Sequence, residues 1–289
     1  MGISATQVKE LRDKTGAGMM DCKKALTEAD GDFEKAIELL RKKGASVAAK
    51  RSERTANEGV VKTEVLDEGK TGVILEVNCE TDFVASSDDF NNFAQDVLDT
   101  VVEKKPATIE ELMSLKKDGK LISDSLTDTI GKIGEKIEVS RFVVDEGDDS
   151  LFVDYVHHGA KLGVLVKSDN VKPVDSSKLS VILKDIAMQA AAMKPLYVSR
   201  DEVPQADIDK EKEIYKEVAK KEGKPENILD KIAEGKLNKY FQEICLLEQA
   251  FIKDNTKTVA DIITEFNKEN SSDVKLSKFY RFHLSDEKK

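Results

Sequence analysis

The chain has no tryptophan among its 289 residues, only three histidines, and only three cysteines, Cys22, Cys79 and Cys245. The cysteines are odd in number and far apart, which suits a reducing cytosol better than a disulfide framework. No apolar run approaches the roughly 18 residues needed to span a bilayer. No basic-then-apolar leader opens the chain, so neither a membrane span nor a Sec-type signal is expected, and a cytoplasmic location is. Met1-Gly2-Ile3-Ser4-Ala5-Thr6 fits a myristoylation pattern, but one so short arises often by chance.

The usual signals of chemistry are missing as well. Gly69-Lys70-Thr71 resembles the end of a phosphate-binding loop, yet Glu64 stands where that motif needs its first glycine, so a hairpin turn is the better reading. His157 and His158 are adjacent and cannot chelate as i, i+4 helix ligands do; His283 is remote, and there is no Cys-x-x-Cys. No Gly-x-Ser-x-Gly elbow is present, and 56 acidic residues make any single carboxylate pair uninformative. We therefore expect no catalytic residue, no metal site and no cofactor.

What is present is charge, 35% of residues, and enough length for two or three compact units. The net charge of −10 is unevenly spread. Residues 1–55 carry 12 Lys and Arg against 9 Asp and Glu, whereas the remainder is strongly acidic. Within 41–54, Arg41, Lys42, Lys43, Lys50, Arg51 and Arg54 face only Glu53. Such a stretch can bind phosphate backbones, but a solvated helix end, where the macrodipole favours cations, is the plainer account. The acidic body argues against direct nucleic acid binding.

Ser4 with Gln7 opens a helix that Gly16 ends. Cys22, Ala25, Leu26 and Ala29 share a face of a second helix; Asp32 caps a third, with Phe33, Ala36, Ile37 and Leu40 inward, expected to stop at Gly44. Residues 45–57 read as a linker or a helical extension. From Gly59 the pattern becomes a hairpin (60–66 and 72–79), a long helix carrying Phe90 to Val101, a short helix opened by Thr108, and a strand over 137–144. A similar unit follows, with strands over 151–156 and 162–167, a helix carrying Leu179 to Ala190, a helix capped by Thr258 and Asp261, and a last strand. Between them, about 199–250, two amphipathic stretches broken at Gly223-Lys224-Pro225 predict an antiparallel helical hairpin. Its apolar stripe must be covered, by the other arm and the core or by a second copy in a homodimer.

The reading is thus an α+β chain: a three-helix unit with a basic linker over 1–55, a core subdomain over 56–146, and a related one over 147–289 that carries the hairpin. Two segments stand out. In Thr15-Gly16-Ala17-Gly18-Met19-Met20-Asp21-Cys22, consecutive methionines point about 100° apart on a helix, so at least one is expected outside the core as an adaptable contact. In Cys79-Glu80-Thr81-Asp82-Phe83-Val84, a buried strand runs into an acidic residue and a large aromatic. For an arbitrary Asp-Phe pair, a turn former beside a core ring is the plainer account.

Both segments resemble the bacterial elongation factor Ts family, the nucleotide exchange factors of the GTPase elongation factor Tu. Tyr155, His158-Gly159-Ala160-Lys161, Gly163-Val164-Leu165-Val166, Lys194-Pro195 and Gly223-Lys224-Pro225 extend the likeness to Arg281-Phe282. Beyond that point many members have a Gly-Glu-Gly turn and a helix that grips the GTPase, where this sequence reads His283 to Lys289. The resemblance implies a ubiquitin-associated-like fold for the three-helix unit and exchange without covalent chemistry, hence no enzyme. It implies that Thr81, Asp82, Phe83 and Val84 act on the partner's Mg²⁺ site. Arg12, Met19 and Met20 would anchor the GTP-binding domain, and His158 with Gly159 would hold the partner's third domain. The rival readings are a non-catalytic adaptor using the three-helix unit, or a ribosome- or RNA-associated protein using residues 41–54.

Overall fold

A computed structural model describes residues 2–286, so Met1 of the myristoylation pattern and Glu287 to Lys289 of the tail lie outside the described residues. Three helices come first, α1 (Ala5–Thr15), α2 (Met19–Glu28) and α3 (Phe33–Arg51). Ser4 and Gln7 form a reciprocal capping box, Gly16 ends α1 in the left-handed conformation (φ 65°), and the Asp32 carboxylate accepts from the Glu34 and Lys35 amides. Val8, Leu11, Cys22, Ala25, Leu26, Ala29 and Ala36 bury a small core of their own.

The expected stop at Gly44 does not occur: α3 continues to Arg51. The glycine is there for close approach. α3 crosses a helix that the periodicity did not reveal, and a Cβ on Gly131 of that helix would sit 2.8 Å from the Gly44 Cα. A Cβ on Gly44 would lie 3.1 Å from the Thr127 carbonyl. The cost of a glycine in a helix, roughly 1 kcal/mol, is set against backbone-to-backbone packing that no larger residue allows. Beyond the crossing, Val47 and Ala48 pack on the core of the next unit.

That unit contains β1 (Glu58–Leu66), β2 (Thr71–Cys79), the single turn α4 (Asp82–Ala85), α5 (Asp88–Lys104) and α6 (Ile109–Ser114). A two-residue ladder, β3 (Lys116–Lys117) with β4 (Lys120–Leu121), leads into α7 (Ile122–Ile133), the partner of α3, and β5 (Ile137–Glu146) closes the sheet. Then come β6 (Leu151–Val156), β7 (Leu162–Asp169) and α8 (Ser176–Met193). The hairpin arms α9 (Gln205–Lys221) and α10 (Leu229–Ile244) follow, and β8 (Ala250–Phe251), β9 (Asp254–Thr258), α11 (Val259–Asn270) and β10 (Lys275–His283) complete the order.

The two three-stranded sheets have matching topology. Each is antiparallel, each is centred on the second strand of a hairpin, and in each the closing strand returns to that centre: β1-β2-β5 and β10-β7-β6. They face each other through Val61, Ile74, Phe152, Leu165, Phe282 and Leu284. Because side chains alternate across a strand, the neighbours of these residues point the opposite way. Val60, Val73, Leu75 and Val77 pack under α5, and Val164 and Val166 under α8 and α11. The order is helix, sheet, sheet, helix, and all nine residues of β2 are buried.

The hairpin arms run antiparallel, tied by Lys216–Asp230 (2.8 Å) and by Lys212–Glu234 and Lys220–Glu226 (both 3.9 Å). Phe241, Ile244 and Cys245 bury its root, while Ile214, Val218 and Ile228 stay partly exposed. Among the described residues no helix is long and apolar enough to cross a membrane.

Replacing Gly131 by valine must push α3 off α7. Overpacking of this kind costs about 1–3 kcal/mol, so Gly131→Val should lower the melting temperature by several degrees, and Gly235→Val, at a helical glycine of α10 whose Cβ meets nothing within 4 Å, serves as the control for replacing a glycine inside a helix. Equal melting temperatures for the two variants would show that the crossing is not tight.

Candidate functional site

β2 delivers the chain to a tip held from two sides. Thr81 caps α4, its hydroxyl accepting from the Val84 amide (3.4 Å) and donating to Glu135 Oε1 (2.8 Å), while its own amide donates to Glu135 Oε2 (3.0 Å). With Thr81 fixed, the helical turn sends successive side chains about 100° apart. Val84 packs on the core and Ala85 is buried, so Asp82 and Phe83 are left outside. The Phe83 ring is 84% exposed. The plainer account of the pair, a core ring beside a turn former, is therefore wrong for this protein.

Glu80, one residue earlier, accepts from Arg51 Nη1 with both oxygens (2.8 and 3.0 Å), from Arg54 Nη1 (3.2 Å) and from the Lys136 amide (2.7 Å). Burial acts to raise its pKa, but the Lys136 amide and the two guanidinium groups outweigh it and hold the carboxyl below its usual range. Cys79 closes the strand. Burial, reinforced by the Glu135 carboxylate, pushes its thiol up to about 12, so it is neutral and no nucleophile.

The loop between β6 and β7 folds across the neighbouring sheet. Ala160 O accepts from the Val61 amide (2.6 Å), and Lys161 Nζ donates to Glu58 Oε2 (2.6 Å). That bond holds the Lys161 ammonium above its usual pKa, with the Asp82 carboxylate acting in the same direction. The α4 tip and the loop over 157–161 therefore share one end of the molecule. At the loop's apex Gly159 is left-handed (φ 84°) in open space, His158 is exposed, and His157 Nδ1 lies 2.7 Å from the Tyr155 hydroxyl.

Met19 and Met20 open α2 and are 57% and 64% exposed, and Arg12 is exposed on α1. Both methionines face outward, where the spacing required only one to do so. They stand on the outside of the N-terminal unit, which has a separate small core, and α3 is the physical link between that unit and the tip.

Sequence reasoning missed the supports of the tip. Arg51 and Arg54 read as a solvated helix end, and Glu135 carried no signal at all, because it follows the unrecognised α7. Among the described residues no cluster of three His, Cys, Asp or Glu side chains is arranged to hold a metal.

A family model described as "Elongation factor TS" matches residues 80–286. Elongation factor Ts of Chloroherpeton thalassium is 46% identical over 288 residues, covering 98% of this chain and 99% of the relative. That of Chlorobium phaeobacteroides is 48% identical over 286 residues, 98% of each chain. That of Clostridium botulinum strain Alaska E43 is 48% identical over 285 residues, 98% of this chain and 93% of its own. Likeness of this extent, over an α+β core with a leading helical unit, places the chain among the translation elongation factors. It belongs to the elongation factor Ts family.

The exposure of Phe83 has a direct consequence for stability. Phe83→Ala should change the unfolding free energy by less than about 0.5 kcal/mol, as surface substitutions do. Phe90→Ala, at a fully buried ring one helix later, should cost about 3–5 kcal/mol. Urea denaturation of the two variants tests this; comparable losses would mean that the Phe83 ring is buried in solution.

Proposed function

We propose that the chain is a guanine nucleotide exchange factor that binds elongation factor Tu in its GDP-bound form, disturbs the Mg²⁺ and phosphate site, and promotes GDP release during elongation. The observation that carries this reading is Phe83, a large apolar residue held outside the protein on a turn whose apolar neighbours, Val84 and Ala85, face inward. A rigid turn loses little conformational freedom on docking. Inserted between helices of the GTP-binding domain, the ring gains roughly 2 kcal/mol from burial. Asp82, beside it, reorganises the polar groups around the metal. The factor must prefer the nucleotide-free GTPase, and by linkage it then weakens GDP as much as GDP weakens it.

Arg12, Met19 and Met20 anchor the same domain, and His158 with Gly159 holds the third domain of the partner. The shared end of the molecule occupied by the tip and the 157–161 loop supports two contacts made at once. No bond is made or broken in such an exchange, so no catalytic residue or cofactor is required of this chain.

The RNA-binding alternative loses its footing in the ion pairs. Of the six basic residues in 41–54, Arg41 pairs with Asp124, Lys42 with Glu38, Lys43 with Asp21, and Arg51 and Arg54 with Glu80. Charges so committed are poorly placed to collect phosphates. An adaptor that used only the three-helix unit would be indifferent to the tip.

Release of labelled GDP from purified elongation factor Tu decides among these. The chain should accelerate release, and Phe83→Ala should reduce the stimulation by about tenfold or more, equivalent to about 1.4 kcal/mol. Asp82→Ala should act in the same direction and less strongly, since its polar partners can be rehydrated. The two effects should couple, because both side chains enter one site. Normal exchange by Phe83→Ala would rule the wedge out.

The hairpin supports a further part of the proposal, self-association through the partly exposed Ile214, Val218 and Ile228. Sedimentation at micromolar concentration should detect dimers that Val218→Lys abolishes; a monomer throughout excludes this.

A further inference from the structure

An exposed ring can act as a wedge only if its turn stays where the rest of the protein needs it. The segment carrying Phe83 is four residues long, too short to be stable as a helix by itself. Its position is set by two carboxylates that no motif marks. Glu135 grips Thr81 through both oxygens, one on the amide and one on the hydroxyl (3.0 and 2.8 Å). Glu80 is held by Arg51 at the end of α3, by Arg54 three residues beyond it, and by the Lys136 amide.

Both carboxylates lead back to the same pair of helices. Glu135 and Lys136 follow directly on Gly134, which ends α7 in the left-handed conformation (φ 81°). Arg51 is the last residue of α3, the helix that begins in the core carrying the Met19–Met20 turn. α3 and α7 touch at Gly44 and Gly131. The tip is thus fastened at Glu80 and at Thr81 to one bracket, and the bracket continues into the N-terminal unit.

We propose that Glu135 and Glu80 are positioning residues for exchange, clamping Thr81 and its neighbour so that Phe83 is held at a fixed place relative to the N-terminal anchor. This rests on the exchange-factor reading above. Neither carboxylate touches the partner in this proposal; each acts through the turn it holds. Loss of Glu135 leaves the Thr81 amide and hydroxyl without their acceptors and frees α4 to fray, while the α5 core and the two sheets remain intact. Removing the Glu80 pairs releases the same turn from the α3 side.

The experiment is GDP release from elongation factor Tu at varied factor concentration, with Glu135→Ala and the shape-conserving Glu135→Gln, each in the native and the Phe83→Ala background. In the native background Glu135→Ala should lower the maximal rate about fivefold or more. The half-saturating concentration should stay within about twofold, because the anchor and the 157–161 loop are untouched, and the melting temperature should shift by no more than a degree or two. Glu135→Gln, which can still accept one of the two bonds, should recover part of the rate. In the Phe83→Ala background Glu135→Ala should have a much smaller effect, no larger than that of Asp82→Ala, the one other side chain of the turn given a part in exchange. Hydrogen exchange of the amides over 82–86 should accelerate in Glu135→Ala, with those of α5 unchanged.

Full exchange activity in Glu135→Ala, with Phe83→Ala still impaired, overturns the positioning role and leaves the wedge standing. An equal loss in both backgrounds also overturns it, since the carboxylate would then act independently of the ring. Full activity of Phe83→Ala overturns the wedge and the positioning role together.

Discussion

The apolar layer between the two sheets is the constraint from which the remaining architecture follows. Val61, Ile74, Phe152, Leu165, Phe282 and Leu284 fill it, so each sheet must be apolar on both faces and each needs helices to cover its far side. The layer is thin at two places, and glycine makes it so. A Cβ on Gly72 would meet the Phe152 ring at 2.5 Å, and one on Gly163 would meet Val61 Cγ1 at 2.5 Å. Once the sheets are seated this closely, the end of β2 and the turn between β6 and β7 are brought to the same rim. Two loops some eighty residues apart thereby become one surface.

The same layer contains an ion pair. Glu76 is fully buried on β2 and receives Arg141 Nε and Nη2 on a single oxygen, both at 2.8 Å, while its other oxygen has no partner among the described residues. The Arg141 guanidinium lies over the Phe282 ring at 4.1 Å and donates to the His283 carbonyl. Burying such a pair costs desolvation that the attraction need not recover. Its value here is geometric: it stands at the register shift between Glu76 and Val77, where β5 could otherwise slip against β2. It also ties that shift to the closing strand of the opposite sheet.

Much of this was legible from residue patterns. Strands with strict alternation, helices with clean apolar faces such as Phe90 to Val101, and caps at Ser4, Asp32, Thr108 and Thr258 announce themselves because local chemistry and tertiary burial agree. α7 did not, since Ser123, Asp124, Ser125, Thr127, Asp128 and Thr129 are residues that favour turns and caps over helix interiors. Its apolar residues and Gly131 make sense only against α3. Gly44 misled for the same reason, as a glycine that ends a helix and one that lets another helix approach look alike in one dimension. At the site, the tip and the paired methionines were visible, whereas Glu135 and the Arg51 and Arg54 pairings depend on contacts that local sequence does not encode.

α3 deserves a mechanical description. Nineteen residues of continuous helix make a rod about 28 Å long at roughly 1.5 Å per residue. The Gly44–Gly131 contact is its fulcrum, about 16 Å from the Phe33 end and about 10 Å from the Arg51 end. A tilt of about 10° about that point moves the far end by about 3 Å and the near end by about 2 Å. The rod is thus a reducing lever: a coarse displacement of the N-terminal helices reaches the Glu80 end as a finer one, on the scale of a single hydrogen bond.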